Sequence, residues 1–217
     1  MKITKVAIAG ASGLVGGQCL QKLLGNPACE EVYSLVRRSS GLRHPKLKEV
    51  VVDFADLNPK KVDAVNALFC CLGTTIKKAG SQEAFREVDY TYVLSFAEWG
   101  RSKKAKHFLV VSSLGANPKS KIFYSRTKGE MENAISKLDY EAVSIFRPSL
   151  LLGKRPEPRM LERIAEAGLA VLNPFLVGPL RNYRPIAGER VAGAMVAAAP
   201  EDAKGVRIFQ GTSLRVP

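Results

Sequence analysis

The sequence predicts an α/β protein, a doubly wound parallel sheet with a small C-terminal cap. Three observations carry that reading. Short β-branched and apolar runs alternate with helix-length stretches up to Arg147. The strand runs are apolar on both faces, as strands covered by helices on both sides must be. Beyond Arg147 the rhythm weakens and prolines accumulate at 148, 156, 158, 174, 179 and 185.

Ile3 to Ala9 reads as the first strand. Leu14 to Leu24 reads as a helix, stopped by Gly25-Asn26-Pro27. Val32 to Val36 and Glu49 to Val52 are the second and third strands. Arg38 to Lys48 between them holds Gly41 and Pro45, is about as short as a crossover can be, and is expected to be an irregular, exposed loop. Leu68 to Leu72 is the fourth strand and Gln82 to Trp99 one long amphipathic helix. Phe108 to Val111 is the fifth strand, Tyr124 to Leu138 a helix and Ala142 to Phe146 the sixth strand. A helix from Glu189 to Ala199 and a strand from Val206 to Phe209 close the chain.

The 217 residues suit one domain, 1–217, with residues 148–185 as a lid on the substrate side. A hydrophobic content of 46 % against 24 % charged argues against disorder. At this length about 70 % of the unfolded surface can be buried, so neither disulfides nor a metal are required. Cys19, Cys29, Cys70 and Cys71 form neither a disulfide ladder nor a zinc pattern. Cys70 and Cys71 should point to opposite faces of a strand, as buried small hydrophobes. No run reaches the ~18 apolar residues of a membrane span, and the first apolar run is too short for a signal-peptide core. A reduced, cytoplasmic setting is expected. His44 and His107 are isolated, so no metal is expected.

Gly10-Ala11-Ser12-Gly13-Leu14-Val15-Gly16 follows the first strand and opens the first helix. Strand, glycines and helix in that order are the context a dinucleotide site requires. The glycines let backbone approach a pyrophosphate, whose charge is met by the helix N-terminus. At the end of the second strand an NAD binder places an acid for the ribose 2′-hydroxyl. Here Val36-Arg37-Arg38-Ser39-Ser40 stands instead, and Arg37 and Arg38 with the two hydroxyls suit the 2′-phosphate of NADP(H). One charge-assisted hydrogen bond, about 1.5–3 kcal/mol, favours NADP over NAD by ~10-fold or more. Asp53-Phe54, after the third strand, either hold the adenine amino group or begin a capped turn.

The fifth strand ends in Ser112-Ser113, at the carboxyl edge where open α/β sheets bind ligands. Tyr124 and Lys128 follow at i and i+4, on one helix face. An ammonium beside a phenol favours the phenolate, which makes Tyr124 usable as a general acid or base.

These residues resemble the short-chain dehydrogenase/reductase superfamily: Gly10, Gly13 and Gly16 match its cofactor loop, and Ser113, Tyr124 and Lys128 its triad. Cys70-Cys71-Leu72-Gly73-Thr74-Thr75, Val88-Asp89-Tyr90, Ser112 to Ala116, Tyr124 to Glu130 and Arg147 to Gly153 narrow this to the atypical TIP30 (CC3)-like NAD(P)-binding subgroup. The resemblance implies a Rossmann-type domain that binds NADP(H), with Tyr124 as proton donor to a carbonyl. It implies that Lys128 holds the nicotinamide ribose, Ser113 orients a small-molecule substrate, and Gly73-Thr74 lies along the cofactor. Leu72-Gly73-Thr74 stands where the family has Asn-Ala-Gly, and the Ser-to-Tyr spacing is slightly short.

Three functions follow: an NADPH-dependent oxidoreductase, a non-catalytic NADPH-binding sensor, or a nucleotide-sugar epimerase-like enzyme. The region after the sixth strand is small for sugar-nucleotide recognition. The apolar loop from Gly168 to Leu180 could line a substrate pocket, make a homodimer or protein-partner contact, or pack as core.

The net charge of +13 comes from 33 Lys and Arg against 20 Asp and Glu. Residues 37–48 hold five basic side chains and no acid, 101–107 hold four, and 117–128 hold four more. The first and third stretches flank the expected cofactor site. The charge reads as a rim for NADP and an anionic substrate rather than a nucleic-acid footprint.

Overall fold

The computed structural model describes residues 4–59, 62–153, 182–200 and 204–214. Seven parallel strands form one sheet: β1 (Lys5–Ala9), β2 (Glu31–Val36), β3 (Leu47–Val51), β4 (Ala67–Cys70), β5 (His107–Val111), β6 (Ala142–Arg147) and, last in the chain, β9 (Gly205–Gln210). Their order is β3-β2-β1-β4-β5-β6-β9. The order reverses between β1 and β4, which opens a crevice at their carboxyl ends. A separate parallel pair, β7 (Leu151–Leu152) and β8 (Ile186–Ala187), lies beyond β6.

Period-two alternation builds two cores. Val6, Ile8, Ala67, Phe69, Leu109 and Phe146 face one side, under α1 (Leu14–Gly25) and a C-terminal helix, Gly188–Ala198. Ala7, Ala9, Leu68, Cys70, Phe108 and Val110 face the other. That side is covered by α4 (Tyr92–Ser102) and α5 (Phe123–Ser136). Each fully buried Phe or Leu contributes about 1.5–3 kcal/mol. Two shorter helices, α2 (Ile76–Ala79) and α3 (Gln82–Arg86), precede α4, and the C-terminal helix is α6. Cys70 and Cys71 take opposite cores, and all four cysteines are free. His107 is buried between the Ala199 carbonyl (3.2 Å) and the Ser144 hydroxyl (2.8 Å).

Three details differ from expectation. The helix expected from Gln82 to Trp99 is not uniform: a π-helical turn, Glu87–Thr91, separates α3 from α4. The Tyr92 N–H bonds the Glu87 carbonyl, five residues back. The extra residue turns Asp89 into the interior, where the helix widens to admit it. The third strand begins two residues early, at Leu47, because its register with β2 pairs Val32 with Leu47. The small β7–β8 pair had no periodic signal in two-residue strands. Residues 37–46 contain no helix and are mostly exposed, as expected of that loop. Most of the expected lid, including the apolar loop 168–180, lies outside the described residues.

Candidate active site

The glycine loop closes on itself by backbone contact. Gly10 has φ +82°, which favours glycine, and a side chain there would overlap the Cys71 carbonyl. A side chain at Gly16 would overlap the Gly10 carbonyl. The Gly13 N–H bonds the Gly10 carbonyl at 3.0 Å. The loop's glycines therefore serve its own tight packing against β4. The result is a helix N-terminus, at Gly13, that no side chain caps and no acid precedes. Ser12 and Gly13 are exposed at its tip. A pyrophosphate fits this arrangement: an open helix end at the sheet's switch point, reachable by backbone. Val15 packs into the core, and the Leu14 side chain points instead at Gly153 and Gly188, which flank the β7–β8 pair.

At the outer end, Arg37 and Arg38 are exposed after β2. The absence of an acid in this stretch of sequence does not mean its absence from the site. Parallel pairing of β2 and β3 delivers Glu49, whose carboxylate accepts from the Ser39 hydroxyl (2.6 Å), the Ser40 hydroxyl (2.5 Å) and the Ser40 N–H (3.1 Å). Partial burial works against the Glu49 charge, but the Ser39 and Ser40 hydrogen bonds outweigh it and hold the carboxyl below its ordinary value. The Asp53 carboxylate accepts the Ala55 N–H at 2.9 Å, closing an Asx turn. Phe54 is a core residue, its ring 6.0 Å from that of Tyr92. Burial raises the Tyr92 phenol, as do Glu87 and Asp53, with Arg37 opposing. Arg37, Asp53 and Phe54 thus gather around Tyr92.

At the inner end, Lys128 and Asp89 form a buried ion pair, Nζ to Oδ1 at 2.7 Å. The other oxygen, Oδ2, accepts the Thr74 N–H at 2.7 Å. Gly73 sits over the pair, and an added side chain would reach Asp89 Oδ1 and Lys128 Nζ. Burial alone would lower the Lys128 ammonium, but Asp89, helped by Tyr124, leaves it above its ordinary value. Tyr124 stands one turn before Lys128, its ring 5.4 Å from that of Phe85. Gly129 lets α5 approach the backbone of Asn117 and Pro118, where a side chain would overlap. The Asn117 N–H bonds the Ser125 carbonyl at 3.0 Å, which folds the 112–122 loop back over α5.

The two serines after β5 differ. Ser112 is buried and donates to Glu132 Oε1 at 2.5 Å, and Arg147 holds the same carboxylate in a bidentate grip. Ser113 is part-buried, with one long bond to the Leu114 carbonyl at 3.3 Å. Asp89, Glu49 and Glu132 are the site residues that sequence reasoning assigned no role. Only Asp89 stood in a stretch singled out beforehand.

Among the described residues, no group of three or more His, Cys, Asp or Glu could hold a metal. No helix among them is long and apolar enough to cross a membrane.

The fold and site define a Rossmann-type nicotinamide-nucleotide-binding protein. Residues 5–122 match the model of the semialdehyde dehydrogenase NAD-binding domain. Protein HTATIP2 of Rattus norvegicus is 37 % identical over 170 residues, covering 76 % of this chain and 70 % of that one. Protein FMP52, mitochondrial, of Debaryomyces hansenii is 34 % identical over 199 residues, 89 % of this chain and 87 % of its own. Among solved structures, MoeE5 with UDP-glucose and NAD superposes with a TM-score of 0.71 at 16 % identity, covering 97 % of this chain and 79 % of that one. A UDP-galactose 4-epimerase gives 0.70 at 15 %, covering 94 % and 76 %. Both structural likenesses concern the fold. The chain belongs to the TIP30 (HTATIP2)-like family of atypical short-chain dehydrogenase/reductases.

Proposed function

We propose that the protein is an NADPH-dependent oxidoreductase that reduces the carbonyl of a small molecule. The observation that carries this is Tyr124 one turn before a buried, charged Lys128, at the carboxyl edge of the sheet beside the switch point. Gly10, Ser12, Gly13, Leu14, Val15 and Gly16 would take the pyrophosphate on the α1 N-terminus. Arg37 and Arg38 would meet the 2′-phosphate, and Asp53 with Phe54 would border the adenine. Gly73, Thr74 and Lys128 would hold the nicotinamide ribose. When bound, the nicotinamide supplies a hydride to the carbonyl carbon.

The chain's own groups do the rest. Ser113 donates a hydrogen bond to the carbonyl oxygen and orients it, whereas the Ser112 hydroxyl is committed to Glu132. Tyr124 gives its phenolic proton to that oxygen as charge develops there. Lys128 stabilises the phenolate left behind. Residues 148–185 would form the substrate-side cap. The Leu14 side chain against Gly153 and Gly188 supports this, since it ties the cap's base to the glycine loop. Free cysteines suit a reducing compartment, and we place the protein in the cytoplasm. Recovery with mitochondria on fractionation would overturn that placement.

A panel of aldehydes, ketones and quinones with NADPH tests the activity. Turnover that falls at least 100-fold in Tyr124→Phe supports it. Tight NADPH binding with no turnover of any panel member would favour the non-catalytic sensor instead.

A further inference from the structure

An aspartate on the buried face of an amphipathic helix is costly unless both oxygens are satisfied. Asp89 is 1 % exposed, and both are. One faces Lys128 Nζ from α5, and the other receives the Thr74 N–H from the turn after β4, each at 2.7 Å. The chain reaches this geometry through a local irregularity, the π turn Glu87–Thr91. Such turns are frequent at functional sites. A buried ion pair is by itself weak evidence for stability, because desolvation offsets much of the attraction. Here the pair does something more specific. It joins two elements on the β4–β5 side of the crevice, the turn after β4 and the helix α5.

We propose that Asp89 is a positioning residue: its two oxygens tie Lys128 to the Gly73–Thr74 turn and supply the counter-charge that a buried ammonium requires. This rests on the reading of Lys128 and that turn as the nicotinamide side of the site. The groups facing Lys128 are Asp89 from the π turn, Tyr124 from its own helix and Cys70 from β4. Of these, Asp89 is the one in ion-pair contact. Without it, burial favours the neutral amine, and Lys128 releases its proton at lower pH. The turn at Thr74 also loses its anchor, so cofactor contacts from β4 and α5 no longer move as one unit.

The test uses the full chain labelled with ¹³Cε-lysine, the Lys128 resonance being assigned by its loss in Lys128→Arg. In the wild type Lys128 holds its proton beyond the ordinary lysine value. In Asp89→Asn its titration midpoint falls by at least one pH unit. NADPH affinity at pH 7, read by fluorescence, weakens about ten-fold, one lost charge-assisted hydrogen bond. A Lys128 midpoint and an NADPH affinity both unchanged in Asp89→Asn would overturn the role. Wild-type protein that binds no NADPH would contradict the cofactor reading instead. Should Asp89→Asn not fold, Lys128→Met decides. In that variant the buried Asp89 carboxylate keeps the Thr74 N–H but has no counter-charge, so the thermal midpoint falls as pH rises from 5 to 8. The double variant Asp89→Asn/Lys128→Met loses that slope. The same slope in both would overturn the pairing.

Discussion

The two ends of the crevice are built on different physics. The inner end is buried and ionic. Lys128 with Asp89, and Arg147 with Glu132, pair across elements at 2.5–2.7 Å, and three of the four side chains are no more than 6 % exposed. The outer end is exposed, and its electrostatics are shared among Arg37, Arg38, Ser39, Ser40 and Glu49. Charges there are screened beyond about 10 Å at 0.1 M salt. The inner end is therefore fixed before ligand arrives, which suits proton transfer, where misplacement is expensive. The outer end is adjustable, which suits discrimination between cofactors by modest differences in affinity.

Substitutions can break this contrast, and the largest effect should fall between the two ends, in the loop that joins them. Gly16→Ala places a methyl group in the Gly10 carbonyl, backbone that cannot move aside without shifting β4. It should cost about 3 kcal/mol or more, with loss of NADPH binding, read by thermal unfolding and fluorescence. Glu132→Gln at the inner end leaves Arg147 without its counter-charge and weakens the hold on Ser112. Breaking a buried pair costs about 3–5 kcal/mol. Arg147 is one-fifth exposed, so about 2–3 kcal/mol is expected in denaturant unfolding.

An alkaline titration should also single out the buried interior. Burial pushes the Cys70 thiol up to about 12, from an ordinary value of 9.0. Burial likewise raises Cys29, and Cys71 is raised by its hydrogen bond with Cys19 and by burial. Above pH 9 the unfolded chain ionises these thiols while the folded chain does not. Stability should thus fall as pH rises from 9 towards 12. A Cys70→Ala variant should show a shallower fall, measured by denaturant unfolding at pH 8 and pH 10.5.

The smallest effects belong to the outer end. Glu49→Gln frees the Ser39 and Ser40 hydroxyls and removes a negative charge beside the expected 2′-phosphate. NADPH affinity should rise, by about 1 kcal/mol or less, and Arg38→Ala should lower it by about 1.5 kcal/mol, one charge-assisted hydrogen bond. Both changes should shrink in 0.5 M salt. NADH affinity should barely respond to either.

The same contrast explains what could be read from the chain beforehand. The strands, the glycine loop and the Tyr124–Lys128 pair are local patterns, with partners within one turn or one strand. Asp89 was not legible as a partner of Lys128, because the two lie 39 positions apart and it is the π turn that carries Asp89 inward. The turn replaces a regular helix that the 3.6-residue period predicts. Glu49 was missed for a related reason. Its approach to Ser39 and Ser40 follows from the β2–β3 register, which a run of residues does not reveal. Ser112 and Ser113 look alike in sequence. The bond to Glu132, on the helix after the loop, separates them.

The proposed function requires that this crevice bind a nicotinamide dinucleotide carrying a 2′-phosphate. A fluorescence titration of the full chain with NADPH and NADH, at 0.1 M salt and pH 7, tests it most directly. Saturable binding of NADPH, about ten-fold or more tighter than NADH, is expected. Equal affinities would contradict the role of Arg37 and Arg38, and no saturable binding of either would contradict the site itself.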